Sequence, residues 1–211
     1  MKKSIKSLFV MMLSLIMMLS ISLVSFAEEI ALRIMATTDL HTSFTNYNYY
    51  TDAVNEQAGF VKIATLINKN KDEMKGNTLL FDNGDMLQGS PYGDYMAKKF
   101  NGKKEIYPMI EAMNLLGYDA ATLGNHEFDG GNKVLKKYLT ALDVPVVSAN
   151  VTPDETSELK GEWAPYIIKK VGGEQVGIIG LVVVGKTVAS SNPGKDLKFE
   201  DERIATQKAV E

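Results

Sequence analysis

Short apolar segments alternate along this chain with segments whose apolar residues recur at a helical period, and this alternation most constrains the fold. We predict strands at 30–35, 78–81, 120–123 and 144–149. Between them, helices are predicted at 59–71, 107–116 (with Gly117 as its C-cap) and 132–142. Strands that alternate with helices are typical of a layered α/β domain.

The last part of the chain adds a predicted hairpin and a polar end. Residues 165–171 and 175–184 flank Gly172–Gly173, and the second of these segments is apolar throughout. We therefore predict that it is a central strand of a sheet. Residues 201–211 have a helical composition.

The N-terminal segment has the three parts of a secretory signal peptide. Three lysines lie within the first six residues, an uncharged apolar run covers 8–24, and Ser25–Phe26–Ala27 places small residues at a cleavage site. We predict a signal peptide at 1–27 and export of 28–211 to the periplasm, the cell surface or the medium, without stable membrane insertion after cleavage. The alternative is an uncleaved anchor helix, which N-terminal sequencing of exported protein would reveal as a start at Met1.

Composition excludes several classes of function. The chain has 23 Lys and Arg against 26 Asp and Glu, a net charge of −3, so binding to a nucleic-acid polymer by phosphate neutralisation is not expected. It has no cysteine, which excludes disulfides, zinc fingers and a cysteine nucleophile. It has two histidines, and both lie where predicted strands end.

Three predicted strands end in side chains that can bind a metal ion. These ends carry Asp39-Leu40-His41, Gly84-Asp85 and Gly124-Asn125-His126. Ligands collect at such strand ends in open α/β sheets, and carboxylate, imidazole and amide oxygen suit zinc, manganese, cobalt or iron. Taken singly, each residue is more often a turn or cap residue, but the ordered combination predicts a metal site.

In this order, Asp39-x-His41, Gly84-Asp85 and Gly124-Asn125-His126-Glu127 resemble the calcineurin-like metallophosphoesterases. Four further segments narrow the resemblance to the secreted 5′-nucleotidase branch of that family. They are Phe128-Asp129, Ser148-Ala149-Asn150, Ala164-Pro165-Tyr166 and Gly177 to Leu181. Within this branch, the chain is most similar to the bifunctional 2′,3′-cyclic-nucleotide 2′-phosphodiesterase/3′-nucleotidases. This similarity lies at Thr42, in the Tyr47–Tyr50 cluster and over the run from Asn83 to Ala97.

The resemblance implies a layered α/β/β/α sandwich that holds two divalent metal ions. By resemblance, Asp39 and His41 hold the first ion, Asn125 holds the second, and Asp85 bridges both.

Two further residues have implied catalytic roles. His126 stabilises the transition state and protonates the leaving ribose oxygen, and Asp129 orients the His126 ring. For Asp129 the alternative is a helix N-cap. Glu127 has no assigned role.

The implied reaction converts 2′,3′-cyclic nucleotides to 3′-nucleotides and then to nucleosides. Thr42 stands where strict 5′-nucleotidases more often carry Gly, whereas Asp129 is more typical of the 5′-nucleotidases. The alternatives are therefore a 5′-nucleotidase or nucleotide-sugar hydrolase, or a non-catalytic exported fragment. The family also has two downstream histidine motifs and a C-terminal nucleoside-binding domain. Residues 28–211 are therefore expected to be the N-terminal part of the metallophosphoesterase domain and, by themselves, a poorly active fragment.

Overall fold

A computed structural model describes residues 9–12, 29–100 and 107–211. Residues Leu32–Glu211 form one compact unit, separate from Met1–Ala31. The predicted signal peptide at 1–27 lies outside the described residues except for 9–12, which are helical. Within the described residues, no helix is both long enough and apolar enough to cross a membrane.

The compact unit alternates strands with helices along the first two thirds of its length. The strands are β1 (Arg33–Thr37), β2 (Tyr47–Asn48), β3 (Ala53–Val54), β4 (Thr78–Asp82), β5 (Ala120–Thr122), β6 (Val146–Val147), β7 (Val151–Pro153), β8 (Tyr166–Val171), β9 (Glu174–Ile179) and β10 (Leu197–Phe199). The helices are α1 (Phe60–Glu73), α2 (Pro91–Lys99), α3 (Pro108–Leu116), α4 (Asn132–Ala141), α5 (Val184–Ser190) and α6 (Glu202–Val210).

A parallel sheet with strand order β1-β4-β5-β6 organises the unit. Thr37 pairs with Asp82, and Asp82 pairs with Ala121. All four strands therefore end at the same edge. Two-stranded antiparallel sheets are formed by β2–β3, β7–β10 and β8–β9. The predicted α/β class, with helices connecting parallel strands, is confirmed.

The predicted helices form because their apolar faces enter one core. Met109, Ile110 and Met113 of α3 are buried together with Leu135 and Tyr138 of α4. Helix α3 ends where predicted, since Gly117 adopts φ 63° and its N–H bonds the carbonyl groups of Met113 and Asn114. Helix α6 confirms the helical composition of 201–211, and Asp201 caps it by accepting from two backbone N–H groups.

The prediction of a central strand at 175–184 is wrong. Strand β9 ends at Ile179 and, within the described part of the chain, pairs only with β8, while residues 184–190 form α5. Its apolar residues are only partly buried, and they line a cleft of about 400 Å³ together with Ile34, Phe81 and Val147 of the parallel sheet. The apolar run therefore predicted more burial than this strand has.

Helix α2 was not predicted, although its start carries two signals. Ser90 accepts a hydrogen bond from the Gly93 N–H group as N-cap, and Pro91 occupies the first turn. The Gly, Tyr and Asp residues that follow have weak helix propensity. Tertiary contact rather than local preference therefore completes this helix.

Gly180 provides a test of how the β8–β9 hairpin is joined to the parallel sheet. The Gly180 carbonyl accepts from the Ala149 N–H group at 2.8 Å, and a Cβ on Gly180 would lie 2.0 Å from the Val147 carbonyl oxygen. Gly180→Ala should therefore lower the free energy of unfolding by about 1–3 kcal/mol, the range for an overpacked site. Denaturant unfolding would measure the change.

Gly177→Ala is the matched control, because a Cβ there meets no atom within 4 Å. It should change the free energy of unfolding by less than about 0.5 kcal/mol. Equal midpoints for the two variants would show that the close approach at Gly180 is not needed for stability.

Candidate metal centre

The loops that follow β1, β4 and β5 converge at the edge where these strands end. Backbone N–H groups of Asp39, His41 and Thr42 donate to the carbonyl groups of Gly84, Asp85 and Met86 at 2.9–3.1 Å. The first two loops are thus hydrogen-bonded to each other residue by residue.

Three of the predicted metal ligands have left-handed backbone conformations. The φ angles are 52° at Asp39, 45° at His41 and 57° at Asp85. Non-glycine residues rarely adopt such angles, and they persist where the surrounding structure enforces them. The backbone of these loops is therefore held in place to aim particular side chains.

Close approach of two loops explains both glycines in the motifs. A Cβ on Gly84, where φ is 87°, would lie 2.2 Å from the Gly124 nitrogen. A Cβ on Gly124 would lie 2.3 Å from Asp85 Oδ1. Any other residue at either position would push Asp85 away from the Asn125–His126 turn.

His41, Asp85 and His126 form one compact group of potential ligands. Each offers an atom, and these atoms all lie within 4.8 Å of one another. The two imidazole rings meet edge to face with centroids 5.1 Å apart. Asp39 adjoins the group through His41, with 3.7 Å between its Oδ1 and His41 Nε2.

The hydrogen bond of His41 determines which ring nitrogen is free. Its Nδ1 lies 2.6 Å from the Gln88 carbonyl oxygen, which can only accept, so Nδ1 carries the proton. Nε2 therefore presents its lone pair on the side of Asp39. Metal-binding histidines commonly use such a bond to orient the ring.

His126 has a corresponding bond to the second predicted catalytic residue. Its Nδ1 lies 2.6 Å from Asp129 Oδ2, across a 3₁₀ turn at His126–Phe128. The alternative role of Asp129 as a helix cap does not hold, because the N-cap of α4 is Gly131 and no side chain caps that helix. The His126 N–H group donates to Asp85 Oδ1 at 2.8 Å, which ties the turn to the neighbouring ligand loop.

Asn125 directly precedes His126 and is buried, and its Nδ2 position has no hydrogen-bond partner among the described residues. The oxygen and nitrogen of an amide can exchange by rotation, and their assignment depends on their partners. An unpartnered buried amide suits an oxygen ligand of a cation. The residues that the structure brings together as potential metal ligands are His41, Asp85 and His126, while Asp39 and Asn125 stay predicted ligands.

Sequence reasoning missed the role of Glu127, which is buried below the group. Its two carboxylate oxygens accept from four backbone N–H groups: Gly124 at 2.6 Å, Asp85 at 2.7 Å, Met86 at 2.8 Å and Leu87 at 3.2 Å. Burial raises the pKa of this carboxyl, and the bonds from these N–H groups oppose that rise. No motif reveals this role in advance, because all four partners belong to the backbone.

A second buried carboxyl, Asp82, lies at the end of β4. Burial raises its pKa to about 7, against the effect of a 2.6 Å hydrogen bond donated by the Thr37 hydroxyl. The Gly84 N–H group also donates to it.

Comparison with known proteins agrees with this geometry. The family model of the calcineurin-like phosphoesterases matches residues 32–203. The chain belongs to the calcineurin-like phosphoesterase family. The recognition of this family from the three strand-end motifs is confirmed.

Individual relatives of the chain are longer proteins whose names describe nucleotide phosphoesterases. It is 42% identical over 144 residues to a 2′,3′-cyclic-nucleotide 2′-phosphodiesterase/3′-nucleotidase of Salmonella typhimurium, covering 68% of this chain and 22% of that protein. It is 45% identical over 148 residues to an NAD 5′-nucleotidase of Haemophilus influenzae, covering 70% of this chain and 23% of that protein. The chain thus spans less than a quarter of these relatives.

A solved structure shows the same fold. The crystal structure of the calcineurin-like phosphoesterase YfkN from Bacillus subtilis superimposes with a TM-score of 0.73 at 33% sequence identity. The match covers 85% of this chain and 57% of the other.

Replacing Glu127 tests whether its carboxylate holds the ligand loops. Glu127→Gln puts an amide NH₂ group against backbone N–H donors, so at least one buried donor loses its acceptor. We expect a loss of about 1–3 kcal/mol in the free energy of unfolding and a fall of roughly 10–100-fold in Mn²⁺ affinity. Denaturant unfolding without metal and Mn²⁺ titration would measure the two effects separately.

Glu111→Gln is the control, since Glu111 is exposed on α3. It should leave both values unchanged. If Glu127→Gln matched this control in both measurements, the four backbone hydrogen bonds would not be what positions Asp85 against the Asn125–His126 turn.

Proposed function

We propose that this chain is the N-terminal part of an enzyme that hydrolyses nucleotide phosphoesters with two divalent metal ions. The observation that carries the proposal is the group formed by His41, Asp85 and His126 at the strand ends of a calcineurin-like phosphoesterase fold. Relatives whose names describe nucleotide phosphoesterases support the substrate class.

In this proposal, Asp39 and His41 would hold one ion, Asn125 would hold the other, and Asp85 would serve both. Manganese, zinc, cobalt or iron suits these ligands, and such ions would supply Lewis-acid activation of water and charge neutralisation on the phosphoryl oxygens. The Nδ1–H bond of His41 keeps its Nε2 free as a ligand. Asp85 is buried, which strengthens its interaction with a cation by excluding water.

His126 is proposed as the general acid. Its Nδ1–H group is held by Asp129, so Nε2 is the nitrogen available to deliver a proton to the leaving ribose oxygen. Asp129 acts through the ring and is a positioning residue.

Two substrate preferences remain in competition. The first is the bifunctional activity, which converts 2′,3′-cyclic nucleotides to 3′-nucleotides and then to nucleosides. Thr42 and the Salmonella relative support it. A 5′-nucleotidase is supported by Asp129 and by the Haemophilus relative at closely similar identity. We favour the first because Thr42 directly follows the proposed ligand His41.

We also propose that the protein is exported and that a separate nucleoside-binding domain belongs to the whole enzyme. The signal-peptide pattern of 1–27 supports export. The lengths of the relatives support the additional domain, since the chain spans 22–23% of two of them.

Two substitutions should separate a metal ligand from the general acid. Asp85→Asn should remove most activity together with bound metal, because the ligand shared by both ions loses its charge. His126→Ala should retain metal and lower kcat by about 10²–10⁴, the range for loss of a general acid. Metal content by elemental analysis and steady-state kinetics would give both values.

The reverse pattern would contradict these assignments. If His126→Ala lost its metal, His126 would be a ligand, as its place in the three-residue group also permits. Near-normal turnover and two tightly bound ions in Asp85→Asn would make Asp85 a turn residue only.

Substrate choice is tested by comparing 2′,3′-cyclic AMP, 3′-AMP and 5′-AMP with Mn²⁺ in excess. In the full-length enzyme, we expect kcat/KM to be higher for the first two. A clear preference for 5′-AMP would assign the enzyme to the 5′-nucleotidases. No hydrolysis of any of the three, with metal bound, would favour a non-catalytic exported fragment.

A further inference from the structure

Thr42, which directly follows the predicted ligand His41, has a backbone conformation that its side chain disfavours. Its φ angle is 57°, and it is the one β-branched residue among the five described non-glycine residues with positive φ. A β-branched side chain in this region is an outlier, and such strain persists only where the surrounding structure enforces it. Thr42 is also buried, with 1% of its surface exposed. Contacts of this side chain must therefore offset the strain.

A series of hydrogen bonds runs from the start of α2 through the Thr42 hydroxyl to the His41 backbone. The Thr42 hydroxyl donates to the His41 carbonyl oxygen at 2.6 Å. A hydroxyl has one hydrogen, so the Ser90 hydroxyl is the donor in its bond to Thr42 Oγ1. Ser90 in turn accepts from the Gly93 N–H group at 3.2 Å as the N-cap of α2. Every donor and acceptor in the series is thus used, and the series ends at His41.

A second link joins the same two segments at the His41 ring. His41 Nδ1 donates to the Gln88 carbonyl oxygen at 2.6 Å, two residues before Ser90. The two links therefore connect the adjacent residues His41 and Thr42 to the short segment 88–90. Because the segments are so short, release of the Thr42–Ser90 bond loosens the bond that determines which nitrogen of His41 carries the proton.

Two glycines near the start of α2 leave the space that both side chains occupy. A Cβ on Gly89, where φ is 127°, would lie 2.6 Å from His41 Nδ1. A Cβ on Gly93 would lie 2.5 Å from the Thr42 hydroxyl oxygen. The start of α2 is thus shaped to the His41 ring and to the Thr42 side chain at once.

We propose that Thr42 is a positioning residue for His41. Through Ser90, its hydroxyl fixes the segment whose carbonyl group keeps the proton on His41 Nδ1 and leaves Nε2 to face an ion. That the ring binds an ion rests on the proposed function, whereas the placement of the ring does not. A glycine at position 42 would accept the φ angle without strain, but it would supply no hydroxyl.

The test removes the hydroxyl and keeps the branched shape. Thr42→Val should release the bond between His41 and Gln88, so that the proton of the neutral ring is shared between both nitrogens. It should also lower Mn²⁺ affinity by about tenfold, within the range for loss of a group that supports a metal ligand. Ser90→Ala should have the same two effects, whereas Thr42→Ser should behave as the wild type.

Nitrogen-15 NMR of the full chain without metal measures the ring directly. The chain has two histidines, and His126→Ala assigns their signals. In the wild type, the neutral His41 ring should carry its proton on Nδ1. A wild-type ring protonated on Nε2 would overturn the proposal.

Thr187→Val is the matched control. Thr187 is buried on α5, which contributes no predicted ligand, and its hydroxyl donates to the Val183 carbonyl oxygen at 2.9 Å. This variant therefore loses the same group and the same type of bond as Thr42→Val. It should leave the His41 ring signals and the Mn²⁺ affinity unchanged. Equal ring signals in Thr42→Val and Thr187→Val would overturn the proposal.

The positioning role and the proposed function fail separately. If Thr42→Val alters the His41 ring signals but leaves Mn²⁺ affinity unchanged, the positioning of the ring is upheld. His41 would then not be a ligand, which contradicts the proposed function. If the ring signals stay unchanged in both Thr42→Val and Ser90→Ala, the positioning role is wrong whatever the metal affinity.

Discussion

The candidate metal centre depends on one buried carboxylate that is not itself in the ligand group. Glu127 receives four backbone N–H groups from two different loops, and in the described part of the chain no ion pair compensates its charge. Burying a carboxylate is costly unless hydrogen bonds satisfy its lone pairs. The loops can therefore adopt their observed arrangement only together, because each supplies donors that the other cannot replace.

This interaction explains why the backbone strain is concentrated at the ligands. Asp85 has a positive φ angle, and its N–H group is one of the donors to Glu127 while its side chain accepts from the His126 N–H group. Both ends of the residue are thus fixed to the neighbouring loop. Gly84 and Gly124 allow these two loops to approach more closely than residues with a Cβ would. This close approach holds the Asp85 carboxylate where the two histidine rings meet.

Much of this arrangement could be predicted from the sequence, because periodicity and residue spacing carry it. The strands β4 and β5 and the helices α1, α3 and α4 follow from apolar patterns that are largely buried in the structure, whereas β1 forms although its Ile34 is 60% exposed. The hydrogen bond between His126 and Asp129 follows from a spacing of three residues across a turn. Parallel pairing then brings the three strand ends together, as ligand sites at such ends require.

The parts that could not be predicted depend on partners that sequence does not specify. The sequence gives no sign that Glu127 is buried, because its partners are backbone N–H groups and no particular residue type marks them. The apolar run of β9 predicted a central strand, but such a run does not reveal how much of it is covered, and β9 is only partly buried beside a cleft that the parallel sheet also lines. Thr42 illustrates the same limit: its position after His41 was visible, but its contact with Ser90 depends on the backbone of two successive residues with φ of 45° and 57°. These angles turn His41 toward Asp39 and Thr42 toward Ser90, the N-cap of α2, so that one strained dipeptide joins the ligand loop to the start of that helix.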